Sequence, residues 1–474
     1  MSEVREVDLV VVGTGPGGET LAGEAARAGL EVVAVEKHLV GGECPYYGCI
    51  PSKMMVRAAD SLAEARRADR LAGDVVVTPS WAPVAARVRD EATADWDDTA
   101  AVERLESAGA TLVRGVGRLD GERRVVVTGA DGTTTTYAAR RGVVLNPGTR
   151  PAAPDVPGLA DVAYWTNRDA LRATELPASL VVLGGGPIGC ELAQVLARFG
   201  TDVTIVQHGD RLLPRDEPEA AAIVADALAD DGVRVLTGTS LARVEAGPDG
   251  QVVAHLEGGA DGGATVQAER LLVAAGRTPN LDDLGLASVG LDPAARGLEV
   301  DARLRVQRPD GPVPGLWAIG DVVGHGAFTH VSMYQSRIAL ADVLAGDGDG
   351  AEEASYDALP HVTFTDPEVA GVGMTEADAR EAGLRVRTGS TALESSSRGF
   401  THGPGARGLV KVVEDADAGV LVGATVVGPG GGEIVGLLAL AVHARVPVTT
   451  LRQMIYAYPT FHRAIETALG DLDA

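Results

Sequence analysis

Apolar residues fall in short blocks along the chain. Residues 7–12 (Val-Asp-Leu-Val-Val-Val) form the first block, too short for a helix and apolar enough for a strand buried on both faces. The turn Gly13-Thr14-Gly15-Pro16-Gly17-Gly18 follows, and an alanine-rich stretch then predicts a helix to about Gly29. Glu31 to Val35 predicts a second strand that ends in Glu36. The pattern returns as Leu180–Leu183, then Gly184-Gly185-Gly186-Pro187-Ile188-Gly189, a helix through Phe199 and a strand over Asp202–Val206. Between the repeats the pattern predicts helices over about 51–72 and 81–108 and a β-rich stretch over about 111–145. Gly258 to Gly263 reads as a hairpin tip, and Asp347-Gly348-Asp349-Gly350 as an acidic linker and domain boundary. Residues 355–474 alternate strands and helices. Ile434 to Val442 is apolar on nearly every side, as in a helix buried at a subunit interface.

Each glycine turn has the G-x-G-x-x-G form between a strand and a helix. Gly13 and Gly15 permit a tight turn and the approach of a pyrophosphate to the helix N-terminus, with Gly17 and Gly18 behind them. Gly184, Gly186 and Gly189 repeat the arrangement. Glu36, closing the first unit, is placed to accept hydrogen bonds from a ribose diol. Two such units about 170 residues apart predict an α/β protein with two Rossmann-like dinucleotide-binding domains. The second unit ends Gln207-His208-Gly209-Asp210-Arg211, with no carboxylate at position 207 to repel a 2′-phosphate. Gln207, His208 and Arg211 therefore favour NADPH, with NADH as the alternative, although Asp210 weighs against a phosphate.

At 474 residues the chain exceeds one core, and its net charge of −25 argues against nucleic acid and anionic membranes as partners. No apolar run approaches the roughly 18 residues of a membrane span. The charged N-terminus leads straight into a strand, so a cytoplasmic protein is expected. The three cysteines are Cys44, Cys49 and Cys190. A close pair in such a chain reads as catalytic; zinc would need further ligands that do not stand nearby, so no metal is expected. Cys190 reads as a packed small side chain. Lysine stands only at 37, 53 and 411 against 38 arginines, which makes Lys53, just after the pair, conspicuous.

The stretch Gly41-Gly42-Glu43-Cys44-Pro45-Tyr46-Tyr47-Gly48-Cys49-Ile50-Pro51-Ser52-Lys53 resembles the redox motif of the flavin- and NAD(P)-dependent disulfide reductases, the family of lipoamide dehydrogenase, glutathione reductase and mercuric reductase. Gly315-Leu316-Trp317-Ala318-Ile319-Gly320-Asp321 is similar to its second flavin motif and Ala275-Gly276-Arg277-Thr278-Pro279-Asn280 to its later junction. The resemblance covers nearly the whole chain. It implies FAD as cofactor and a homodimer with a C-terminal α+β dimerisation domain. It implies an FAD-binding domain over 1–150, an NAD(P)-binding domain over 151–276, a central domain completing the FAD site over 277–350 and an interface domain over 351–474.

The resemblance also implies roles. Cys49 lies nearer the flavin and Cys44 exchanges with substrate. Lys53 pairs with Glu191 and stabilises the reduced ring. Asp321, following Gly320, reaches the ribityl chain; Gly42, Gly148, Gly276 and Arg277 complete the cofactor set, and His330 falls near the flavin. A helix starting just after Cys49 favours a thiolate. Three departures stand out. Asn146-Pro147-Gly148-Thr149 replaces the usual Ala-Thr-Gly. Tyr46 and Tyr47 either line a pocket for an aromatic acceptor or pack the loop. Tyr458 stands where the family has its acid–base histidine and Arg463 where it has the supporting glutamate. A phenol ionises near pH 10 in water and cannot replace imidazole as a neutral-pH base, but it can donate a proton. Tyr458, with Arg463 beside it, or His462 then takes the role, unless the acceptor needs no base.

The expected activity passes electrons from NAD(P)H through FAD to Cys44–Cys49 and on to a disulfide or other small acceptor. The alternatives are lipoamide dehydrogenase proper, a quinone or metal-ion reductase, and a redox-sensing flavoprotein without turnover.

Overall fold

The structure, a computed structural model, describes residues 4–346 and 352–473. The stretch Asp347–Gly350, read above as a linker, lies outside the described residues. The chain divides into two compact units: Met1–Pro51 with Arg89–Pro151 and Arg277–Ser355, and Ser52–Val88 with Ala152–Gly276 and Tyr356–Ala474.

In the first unit, β1 (Val4–Val12) lies between the parallel strands β2 (Val32–Glu36) and Thr134–Leu145. This central position explains the continuous apolar run: Leu9, Val10 and Val11 are wholly buried. The sheet runs Arg305–Arg308, Gly311–Ala318, Thr134–Leu145, β1, β2, Thr111–Arg114. Helix α1 (Pro16–Arg27) carries Pro16 at its first position and presents small residues to the core. A Cβ at Gly17 would come 2.1 Å from Ser332 Oγ, so helix Thr329–Ala345 can approach α1 only because glycine is there.

Two short elements follow β2. Helix α2 (Glu43–Tyr47) carries Cys44, and α3 (Cys49–Arg67) begins at Cys49. The boundary between the units falls inside α3, after Pro51.

The continuous helix expected over about 81–108 is broken. Helix Ala82–Arg87 passes into a π-turn, Val88–Ala92, and helix restarts only at Thr99. In between, Ala94, Asp95 and Trp96 all have left-handed backbone, with φ of 47°, 57° and 58°. Long-range hydrogen bonds override helix propensity here. The Trp96 indole donates to the Tyr46 carbonyl (3.1 Å), and the Asp98 carboxylate accepts from Val40 N (2.7 Å).

In the second unit, the strands Arg234–Leu236, Asp202–Val206, Ser179–Leu183 and Arg270–Val273 form a parallel sheet in that order. Helix Pro187–Arg198 follows its glycine turn. The C-terminal part is a five-stranded antiparallel sheet, with helices Gly431–His443 and Ala464–Asp471 contributing Leu438, Ile465 and Leu469 to its core. Helix Gly431–His443 buries Val435 and Leu438 but leaves Leu440 59% exposed. Among the described residues no helix is long and apolar enough to cross a membrane.

Among the described residues, two cationic side chains are buried in this unit, Arg198 and Lys411. The Arg198 side chain is only 2% exposed and bonds Asp60 (2.9 Å), Asp231 (2.9 Å) and Asp366 (2.7 Å). Arg67 reaches the same Asp366 at 2.6 Å, and Gln194 bonds Asp231 and both backbone groups of Asp366. Lys411 is held by Glu217 (3.0 Å), Glu219 (2.9 Å) and Glu376 (2.9 Å). Such cations are tolerable only because their N–H groups are paired. Burial pushes Asp366 up, but Arg198 and Arg67 outweigh it and hold the carboxyl below its ordinary range. For Asp60, burial and then repulsion from Asp366 prevail, and its pKa is pushed up to about 6.

Asp60 therefore binds its proton more tightly folded than unfolded, and its contribution to stability falls as pH rises from about 4 to about 6. Asp60→Asn removes that slope. The melting temperature of the variant minus that of the parent is expected to rise across this window and level off above it; a flat difference would contradict the assignment.

Candidate active site

In the first unit the glycine turn after β1 is shaped by close approaches. Gly13 has φ of 92°, and a Cβ there would come 2.2 Å from Asn146 O; one at Gly18 would come 2.1 Å from Gly13 O. Gly15 is the N-cap of α1 and has no side chain with which to cap it. Glu36 is buried at the end of β2. Its carboxylate accepts from Thr14 N and Thr14 Oγ1 (both 2.9 Å) and from His38 N (2.8 Å), so it fixes the turn. Gly42 lies against the same turn, where a Cβ would come 2.9 Å from Gly15 Cα. Gly148 faces open space.

The Cys44 and Cys49 side chains are hydrogen-bonded to each other. Gly48 lets the chain fold back between them; a Cβ there would lie 3.4 Å from Cys44 Cα. The bond to Cys49, with burial second, holds the Cys44 thiol well above its ordinary pKa. Cys44 is thus the member that keeps its proton and donates it toward Cys49. Thr329 opposes this: its hydroxyl lies 3.4 Å from Cys49 Sγ and its hydrogen bond lowers Cys44. Both thiols are partly accessible, whereas Cys190 is buried, bonded to Gly185 O (3.4 Å) and pushed up by burial. Tyr46 is also buried, packed within the loop, and burial pushes its hydroxyl up to about 12. Tyr47 is half-buried.

A chain of polar contacts runs from the junction to the dithiol loop. Thr149 Oγ1 donates to Asp321 (2.5 Å) and accepts from Arg277 Nε (2.6 Å), and Arg277 also reaches Glu43 (3.2 Å), the neighbour of Cys44. Gly276, next to Arg277, faces open space. Asn280 holds Pro147 O and Gly148 O (both 2.9 Å). Gly320 donates to Gln335 (2.6 Å). His330 is exposed and stacks on Phe328 at 5.3 Å.

In the second unit Lys53 bonds Glu191 at 2.5 Å and lies over the Phe364 ring at 4.6 Å. Glu191 is buried and also accepts from Phe364 N (2.9 Å). A Cβ at Gly189 would come 2.0 Å from Gly184 O, whereas Gly186 faces open space. Gln207 Oε1 accepts from Gly185 N (2.8 Å), His208 Nδ1 lies 2.7 Å from Ser240 Oγ, and Arg211 donates to Pro214 O (2.9 Å). In the C-terminal part, Tyr458 is 69% exposed, with the Arg463 guanidinium over its ring at 5.6 Å and Arg463 paired with Glu466 (2.9 Å). His462 instead packs on the Tyr456 ring at 5.1 Å. The Tyr458–Pro459 bond is cis.

Sequence reasoning missed Thr329, Glu43, Thr149 and Phe364. Thr329 is 280 residues from Cys49 and carries no local signal. Glu43 was open to notice, as a charge beside a reactive thiol. The cradle fits a dinucleotide: each glycine turn opens a helix with no side-chain cap from its own N-cap glycine, and in the second turn Gly186 faces open space. Among the described residues no group of three or more His, Cys, Asp or Glu could hold a metal.

Residues 7–343 match the family model described as pyridine nucleotide-disulphide oxidoreductase, and residues 359–469 its dimerisation domain. A dihydrolipoyl dehydrogenase of Thermus scotoductus is 34% identical, over 98% of this chain and 97% of the relative. A mercuric reductase of Streptomyces lividans is also 34% identical, over 97% and 95%. Among solved structures, LpdA of Mycobacterium tuberculosis is similar with a TM-score of 0.85 and 28% identity, covering 99% of this chain and 100% of that one. A Cu(II) complex of RclA, a HOCl-induced flavoprotein disulfide reductase of Escherichia coli, is similar with a TM-score of 0.84 and 26% identity, covering 98% and 99%.

Because the Thr329 hydroxyl stabilises the thiolate form of Cys44, Thr329→Val is expected to move thiolate formation in the reduced protein to higher pH. Ultraviolet thiolate absorbance against pH measures it; an unchanged profile would remove Thr329 from the site.

Proposed function

The chain belongs to the pyridine nucleotide-disulphide oxidoreductase family of FAD- and NAD(P)H-dependent enzymes, and on that premise we propose that it reduces a small disulfide through the Cys44–Cys49 pair. The observation that carries this is the juxtaposition of two half-buried thiols, Cys44 in α2 and Cys49 opening α3, with the chain folded back between them at Gly48, within the unit that also bears the first glycine turn. FAD bound there would supply two-electron chemistry between NAD(P)H and the thiol pair. Gly13, Gly15, Gly17, Gly18, Glu36, Gly42, Gly148, Gly320 and Asp321 are the residues assigned to hold it, with Arg277 bracing Thr149 behind Asp321.

The thiol chemistry follows from the proton inventory. The reduced pair starts as the Cys44 thiol and the Cys49 thiolate. Cys44 passes its proton to Cys49 and attacks one sulfur of the substrate, expelling the first thiolate and leaving a mixed disulfide. The first thiolate takes the proton from Cys49, and the Cys49 thiolate then attacks the Cys44 sulfur, closing the bridge and expelling the second thiolate. The pair gives up two electrons and one proton; the substrate gains two electrons and two protons, the second proton coming from a separate donor. Tyr458 is the proposed proton donor to a leaving thiolate. Its exposure and the Arg463 guanidinium over its ring support it over His462, which is packed on Tyr456. The dimerisation-domain match and the exposed Leu440 and Ile455 support a homodimer in which Tyr458 serves a second copy. Lys53, oriented by Glu191, is the cation assigned to the cofactor's electrostatics. NADPH is favoured over NADH because Gln207 puts an amide, not a carboxylate, where it holds Gly185 N. The four domains proposed are 1–150, 151–276, 277–350 and 351–474.

Cys44→Ser is expected to reduce NADPH-driven disulfide turnover to background while the bound flavin is still bleached by NADPH. Persisting disulfide turnover would overturn the reading; persisting turnover of quinone or Cu(II) alone would mark those as acceptors that do not need the pair. Tyr458→His is expected to raise turnover of ordinary disulfides by at least about tenfold, because imidazole can serve as both acid and base near neutrality. No gain, across a panel including lipoamide, would show that position 458 does not limit disulfide chemistry.

A further inference from the structure

Asn146 stands immediately after the strand Thr134–Leu145, at the first position of the sequence that departs from the usual Ala-Thr-Gly. Its side chain is buried, and the residue is only 6% exposed. In the orientation that pairs both amide atoms, Oδ1 accepts from Gly18 N (3.0 Å) and Nδ2 donates to Ile319 O (3.2 Å). Its backbone N donates to Val12 O at 2.8 Å. One residue therefore touches the end of β1, the first turn of α1 and the residue before Gly320-Asp321.

The contact with Gly18 is a capping contact made from a distance. The first-turn N–H groups of a helix have no partner within it, and a Ser, Thr, Asp or Asn at the N-cap normally supplies one. Here the N-cap is Gly15, which has no side chain, while Glu19 is the first residue to bond back to it. Asn146 provides the missing oxygen from another strand. The same amide uses its nitrogen on the carbonyl of Ile319, so α1 and the segment that carries Asp321 are held by one side chain, and a shift of α1 along its axis breaks its bond to that shared amide. An alanine at this position would make neither bond.

We propose that Asn146 is a positioning residue for FAD: it caps α1 from outside the helix and ties that cap to the Ile319–Asp321 segment, fixing the two flavin-binding segments relative to each other before the cofactor arrives. This rests on the assignment of FAD to the first glycine turn. A cap of this kind is worth enough to change a dissociation rate about tenfold.

The test compares the parent, Asn146→Ala and Asn146→Asp as purified holoproteins. FAD release is followed by the rise in flavin fluorescence on dilution, and the melting temperature of each cofactor-stripped protein is measured separately. Asn146→Ala is expected to release FAD about tenfold faster. Asn146→Asp keeps an acceptor for Gly18 N but loses the donor to Ile319 O and adds a negative charge near the pyrophosphate. It is expected to release FAD faster still, and added salt is expected to slow that release, which a packing defect would not do. Release at the parent rate in both variants, even with lower melting temperatures of the stripped proteins, would reduce Asn146 to a packing role and overturn the proposal. If the parent itself fails to retain or take up FAD, the cofactor assignment is what fails.

Discussion

Two ion pairs set the register of the helices that organise the second unit. Lys53 in α3 meets Glu191, and Asp60, seven residues on in α3, meets Arg198, seven residues on in its partner helix. Seven residues are two turns, about 10 Å along each axis, so the helices lie side by side and parallel. The signs are reversed between the two pairs. Sliding one helix by two turns, or turning it end for end, would set Lys53 against Arg198 or Asp60 against Glu191. Wrong packings are thus penalised by repulsion as well as by lost attraction. Arg198 adds force to this because it is buried and must satisfy several N–H groups at once. The loop at Asp366 is recruited by the same guanidinium, and the loop at Phe364 by Glu191.

Such a frame does not by itself fix the activity carried on it. The chain is 34% identical to a protein named for dihydrolipoyl dehydrogenation and 34% identical to one named for mercury reduction. Similarity of the whole chain therefore does not choose the acceptor. The choice lies with the groups around the thiols. There the chain combines a proton-retaining Cys44 with a carboxylate at Glu43 held by Arg277. Among these, nothing is a strong base, which suits acceptors whose products leave as stabilised anions.

Much of the frame was legible because it is written in short-range terms. The apolar blocks at 7–12 and 202–206 became buried parallel strands, and the glycine turns stood where strand gives way to helix. The pairing of Lys53 with Glu191 followed from resemblance across 138 residues, not from local pattern. What escaped was set by distant partners. The break at Ala94–Trp96 has no glycine or proline to announce it; the bonds from Trp96 to Tyr46 and from Asp98 to Val40 impose it. The depth of Tyr46 could not be read from composition, since a tyrosine beside a thiol is as plausible on a surface as in a core. Asn146 was visible as a departure, but its meaning needed the positions of Gly18 and Ile319 together.

The arrangement of the lysines has a practical side. Lys411 is enclosed by three glutamates and Lys53 is committed to Glu191, so of the chain's three lysines only Lys37 stands exposed. Lys37 is thus the most open lysine to amine-directed acylation or carbamylation. Attachment through it would anchor the molecule beside Glu36, at the tip of β2.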